Sequence, residues 1–170
     1  MTPSDVLIEA FDRLPAIASA AVDGLSVDDL AWRPDSEANT IAWLVWHTAR
    51  GQDVQIADLA AADQVWTADG WADRFALPFD HAEMGYGQSP AEVGEVRAEP
   101  HLLVAYLEAV TLRTRGYLEG LDAASYTDVV DDAWDPPVTA GSRLVSILGD
   151  CTQHLGQASY VRGLLDRRRR

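Results

Sequence analysis

Apolar side chains recur at helical spacing through most of the chain. Over residues 5–22, Val6, Leu7, Ala10, Phe11, Leu14 and Ile17 fall near the helical period. Ser4 stands as the cap of this first helix, Pro15 predicts a kink, and Asp23-Gly24 predicts its end. Residues 25–30 read as a short capped turn of helix stopped by Trp32-Arg33-Pro34. A second helix is predicted over about 39–62, capped by Asn39 or Thr40. Its stripe is Ile41, Leu44, Val45, Thr48 and Ala49, extended by Ile56 and Leu59.

Residues 63–88 break the period yet hold Trp66, Trp71, Phe75, Phe79 and Tyr86. A connection this long is uncommon in a compact domain and is often a lid or binding segment. Its aromatics predict either core packing or an apolar substrate wall. Ser89-Pro90-Ala91-Glu92 combines a cap, a proline at the first helical position and a capping-box acid. The third helix follows to about residue 120, bent or broken at Pro100. A second irregular stretch spans 122–141, and Ser142 caps a last helix reaching about 167. No segment alternates as a strand does. The expected fold is all-α, a four-helix bundle in one domain over 1–170, with two long connections that suggest a path other than plain up-down-up-down.

Composition supports one folded domain. Of 170 residues, 48% are apolar and six are Trp, which is too apolar for disorder. A net charge of −14 repels phosphate backbones, so nucleic acid is not an expected partner. The four terminal arginines, Arg167 to Arg170, read as a solvated helix end, where cations favour the helix dipole. The single cysteine, Cys151, allows no internal disulfide. With no basic leader and no run of about 18 apolar residues, the expectation is a cytoplasmic protein that does not engage a membrane.

The last helix carries Asp150 and His154, four residues apart and so on one face, a turn apart. Two ligands at that spacing can close on one ion, and a third must come from another element. His47 lies among Trp43, Leu44, Val45 and Trp46, where a buried helix would point it into the bundle. Bundle cores hold metals through inward-facing side chains. The spacing alone leaves open an exposed charge pair and a hydrogen-bonded core histidine. His81 and His101 read as surface residues. Cys151 points about 100° away from Asp150 on an ideal helix and reads as a packing residue. Gly156 is expected to permit close helix packing. Gln157 would orient a ligand, touch a substrate or make a structural hydrogen bond. Arg50 would bind a substrate carboxylate or pair with a surface acid.

Three blocks carry a resemblance to a known family. They are Gly24-Leu25-Ser26 through Leu30 with Trp32-Arg33-Pro34; Asn39 through His47; and Asp150 through Arg162. Together they resemble the DinB-like superfamily, in particular its actinobacterial branch related to mycothiol-dependent maleylpyruvate isomerase and mycothiol S-transferases. The resemblance spans nearly the whole chain. It implies a four-helix bundle holding zinc, nickel or a similar divalent ion through His47, Asp150 and His154, often as a homodimer. Many relatives have His at the position of Asp150, and the isomerase has Glu, so the shorter Asp is the departure from the pattern. Two His and one carboxylate leave an open position on zinc and also suit Fe(II). The implied chemistry is activation of a low-molecular-weight thiol such as mycothiol for transfer to, or isomerisation of, a small electrophile; by their positions, Arg50 and Gln157 are the candidate cofactor-binding residues. A zinc hydrolase and a non-catalytic metal-binding stress protein are the alternatives.

Overall fold

A computed structural model describes residues 1–170. Helix α1 (Pro3–Phe11) is capped by Thr2, whose side chain accepts from the Asp5 amide; Ser4 instead lies inside the helix and meets the Tyr126 hydroxyl at 2.7 Å. Pro15 does not kink a continuous helix. It sits in the first turn of a new one, α2 (Leu14–Val22), where its missing N–H costs nothing. A short α3 (Val27–Leu30) carries a complete Ser26/Asp29 capping box.

Helix α4 (Ile41–Leu59) starts at Thr40, which accepts from the Trp43 amide. From Ile41 to Asp53 every residue is buried, polar and apolar alike. The stretch expected to be irregular contains two short helices, α5 (Val65–Ala68) and α6 (Trp71–Phe75). The third predicted helix is two, α7 (Pro90–Glu95) and α8 (Pro100–Glu119), because Pro100 begins the second. A 3₁₀ turn (Ser125–Thr127) then leads into a small antiparallel ribbon, β1 (Val129–Asp131) against β2 (Val138–Thr139). The expectation of no strand is corrected here: three residues against two are too short for alternation to register in sequence. Helix α9 (Ala140–Arg168) is capped by Thr139; Ser142 is the third helical residue that completes the capping box.

Four long elements form the bundle. Helices α4 and α2 lie diagonally opposite, each packed between α8 and α9. Phe11, Leu14, Leu30, Leu44, Trp46, Tyr106, Leu118 and Leu144 fill one continuous core, each no more than 1% exposed. At the C-terminus, Arg169 pairs with Asp29 and the Arg168 guanidinium lies over the Trp32 ring, so the basic end folds back on the body. No helix is long and apolar enough to cross a membrane.

Candidate metal centre

Helices α4 and α9 run antiparallel, so Leu44 faces the level of Gln157 while Gly51 faces Asp150. His47 therefore meets the Asp150/His154 face. The three side chains each bring a ligand atom within 4.8 Å of the others. His154 Nε2 lies 3.3 Å from Asp150 Oδ1, and the two imidazoles stand nearly perpendicular with centroids 4.8 Å apart. Ligands about 2.0–2.1 Å from a tetrahedral ion stand roughly 3.4 Å from one another, so the His154–Asp150 edge already has the spacing a bound ion needs.

The backbone and a side-chain amide orient the two imidazoles. His47 Nδ1 donates to the Met84 carbonyl at 2.5 Å, leaving Nε2 with its lone pair. His154 Nδ1 donates to Gln157 Oε1 at 3.1 Å, which turns Nε2 toward Asp150. Such partners of the far ring nitrogen are the usual companions of a metal-binding histidine. They also explain the electrostatics. With Nδ1–H committed on His154, a lone pair and a carboxylate confront each other unless a proton or a cation lies between. The hydrogen bond from His154 holds the Asp150 carboxyl below its usual range. In return, Asp150 raises the His154 imidazole above its ordinary value, while burial lowers that of His47.

Packing sets one closed wall and one open one. His47 is 7% exposed and stacks on Trp43 at 4.5 Å and 15°. Trp43 is itself held by Nε1–H donation to Gln88 at 2.8 Å. Asp150, at 45% side-chain exposure, forms the open side. A groove of about 630 Å³ runs past Asn39, Gln153, Gly156, Gln157 and Tyr160 and meets the centre only through Gln157, the partner of His154. A larger depression of about 990 Å³ is bounded by Gln55, Asp58, His81 and Arg143; none of the three ligand-type residues lines either one.

The structure sorts the remaining sequence candidates. Gln157 is at the centre. Arg50 is not: its guanidinium is completely buried and spent on internal partners, so both expected roles, a substrate carboxylate and a surface acid, are corrected. Gly156 has nothing within 4 Å of where a Cβ would stand, so it opens the groove rather than seating another helix. Cys151 is buried, and burial pushes its thiol far above the usual range, which removes it as a nucleophile. His81 and His101 are exposed. Trp66, Trp71 and Phe75 are core residues and Phe79 packs against Trp46; Tyr86 alone of the loop aromatics is open, at 88% exposure. Sequence reasoning missed Met84, which acts through its carbonyl, and Gly85, which lies against His47. The Gly85-Tyr86-Gly87 pattern was the available signal for a backbone in unusual conformations.

These features define a four-helix-bundle protein with a two-histidine, one-carboxylate cluster of metal-ligand type between antiparallel helices. Residues 10–158 match the family model of the DinB superfamily, and the chain belongs to that superfamily. It is similar to a conserved protein of Enterococcus faecalis known from a crystal structure, with 35% identity and a TM-score of 0.90, covering 97% of this chain and 98% of that one. No curated protein matches the chain.

Proposed function

We propose that this protein is a divalent-metal enzyme, zinc foremost, that activates a low-molecular-weight thiol for attack on a small electrophile in the cytoplasm. The observation that carries the reading is the orientation of both imidazoles, with Nδ1 engaged by Met84 and Gln157 and the Asp150 carboxylate beside them. His47, Asp150 and His154 would hold the ion. A divalent ion bound there supplies Lewis acidity that keeps a thiol ionised near neutral pH. The Trp43 ring closes one side to water, and the open side at Asp150 admits the reactants. The thiol proton leaves to solvent; sulfur then forms a bond to an electrophilic carbon as the leaving group departs with its electron pair. In an isomerisation sulfur would instead add to a carbon–carbon double bond as its π pair moves onto a conjugated carbonyl; after rotation about the resulting single bond, the pair returns and sulfur is expelled. The groove that shares Gln157 with the centre also offers Asn39, Gln153 and Tyr160, with Glu37 its one charged lining residue. Those hydrogen-bonding groups support a hydroxyl- and amide-rich thiol without acidic groups, such as mycothiol.

The test is metal content by plasma mass spectrometry on untagged protein. About one ion per chain is expected, lost in His154→Ala while helical circular dichroism is retained. Cobalt-loaded protein should then develop a thiolate charge-transfer band on thiol addition. Ester hydrolysis with no such band would instead favour the hydrolase, and a metal-loaded protein inert in both assays the non-catalytic alternative. No stoichiometric metal, even after reloading, would remove the proposal.

Metal uptake also has a proton signature. Asp150 raises the His154 imidazole and burial lowers that of His47, so His154 holds its second proton to higher pH than His47 does. Around neutral pH the proton released by metal binding should therefore come chiefly from His154, and fewer should be released as pH rises. Affinity should fall as pH drops through the His154 range. Calorimetry in buffers of different ionisation enthalpy reads the number directly; release of two protons would contradict the assignment.

A further inference from the structure

Residues 63–88 are clamped at both ends by one buried ion pair on α4. Asp53 Oδ1 accepts from the Val65 amide at 2.9 Å, and Oδ2 accepts from the Trp66 amide at 2.8 Å. These are the first two helical residues of α5, whose N-cap Gln64 makes no side-chain cap. One turn earlier, Arg50 takes the other end. Its Nε donates to the Glu83 carbonyl at 3.1 Å and its Nη2 to the His81 carbonyl at 3.3 Å. Its Nη1 donates to Gln64 Oε1 at 3.0 Å and lies 3.6 Å from Asp53 Oδ2. The guanidinium packs over the Trp66 ring, 4.9 Å from its centroid.

The residue after Glu83 is Met84, whose carbonyl accepts the hydrogen bond from His47 Nδ1–H. A grip on one peptide carbonyl restricts the next, because only two soft torsions separate consecutive peptide planes. On α4, Arg50 stands three residues after His47, so it and His47 approach the same short strap from one helix. Arg50 holds the strap, and the strap holds the imidazole.

We infer that Arg50 is a positioning residue for the metal centre: through the Glu83 and His81 carbonyls it sets Met84, and Met84 sets the tautomer and direction of His47. The consequence for metal rests on the metal-centre reading above, whereas the consequence for the His47 imidazole does not.

Arg50→Lys is the informative variant. It keeps a cation beside Asp53, but a point charge cannot span the three directions that the guanidinium fork reaches. Two readouts are expected to move. Zinc affinity, measured by competition with a chromogenic chelator, falls about 10–100-fold, the range for losing a partner that orients a ligand. Nitrogen-15 spectra of the metal-free protein show His47 changing from the single Nδ1–H tautomer to a mixture, with His154 unchanged. Thr114→Val serves as the control; it deletes a buried hydroxyl that accepts from Gln52 at 2.8 Å, away from the strap, and should move neither. A single glycine inserted between Glu83 and Met84 leaves the Arg50 grip intact and uncouples it from His47, so it should reproduce both effects. A folded Arg50→Lys protein with wild-type tautomer and affinity overturns the inference. If Arg50→Lys does not fold, the insertion decides, and wild-type readings there overturn it equally. Should the wild-type protein take up no zinc, the metal reading fails while the tautomer still tests Arg50.

Discussion

Asp53→Ala is expected to destabilise the protein by about 3–5 kcal/mol, the usual result of removing one partner from a buried ion pair. Four groups lose their acceptor together. The Arg50 guanidinium is left in the interior, completely buried, with no carboxylate near it. The Val65 and Trp66 amides lose the oxygens that cap α5. The Tyr106 hydroxyl, which donates to Oδ2 at 2.8 Å, loses its acceptor too. Burial and the Asp53 charge raise the Tyr106 phenol well above its usual range, so it is always available as that donor. A loss of this size is a large fraction of the roughly 5–15 kcal/mol that holds a typical domain together. Urea titration followed by circular dichroism measures it; a shift of less than about 1 kcal/mol would show that the interior accommodates a free guanidinium and that the pair is not the clamp described above. The double variant Arg50→Met/Asp53→Leu separates stability from positioning. Apolar replacement of a whole buried pair is often close to neutral, so the part of the loss due to the stranded guanidinium should return, while the Val65, Trp66 and Tyr106 donors stay unpaired, the strap remains released and His47 is disordered in tautomer.

The same pair shows where sequence reading stops. Helix α4 was legible as a helix because Ile41, Leu44, Val45 and Ile56 keep the period. Its far side was not, because His47, Thr48, Arg50, Gln52 and Asp53 are buried as well. A helix surrounded on all sides loses the contrast between faces on which amphipathic reading depends. Arg50 then looks like a surface residue, when it is one half of an internal clamp. Most helix starts were legible to within a few residues, and the two misplaced caps have one cause. Thr2 and Thr139 are the true caps, whereas Ser4 and Ser142 lie inside the helices they were expected to cap. Several competent capping side chains crowd each start, and only the backbone decides among them.

The candidate centre divides in the same way. The Asp150/His154 half is local, since two residues four apart on a helix must share a face. The pairing with His47 is a contact across more than a hundred residues, and spacing left it open; the resemblance to the DinB-like superfamily supplied it. The orienting groups were partly visible. Gln157, three residues after His154, is within reach of any helix reader. Met84 was invisible, because it acts through a carbonyl that every residue possesses. The loop aromatics were read as core or wall, and burial assigns Trp66, Trp71 and Phe75 to the core.

Gly85→Ala should weaken metal binding by about 10–100-fold and destabilise the fold by about 1–3 kcal/mol. Two separate effects contribute. At φ +99° the backbone lies where L side chains are strained, whatever the space around them. In addition, a Cβ here would stand 2.8 Å from His47 Nδ1 and 3.1 Å from both Trp43 and Trp46. None of the three can yield. Trp46 is 1% exposed in the core, Trp43 is tied to Gln88, and His47 is held by Met84 and by the stack on Trp43. The strap itself must therefore retreat, and with it the carbonyl that fixes His47. Gly87→Ala isolates this term. Gly87 also has a positive φ, +77°, yet nothing lies within 4 Å of its Cβ position. It should show the backbone cost alone, with metal affinity unchanged. Chelator competition and urea titration on the two variants make the comparison. Equal metal affinities in Gly85→Ala and Gly87→Ala would mean that the centre tolerates movement of the strap; a loss confined to Gly85→Ala would place the control of His47 in the close approach of that one backbone position.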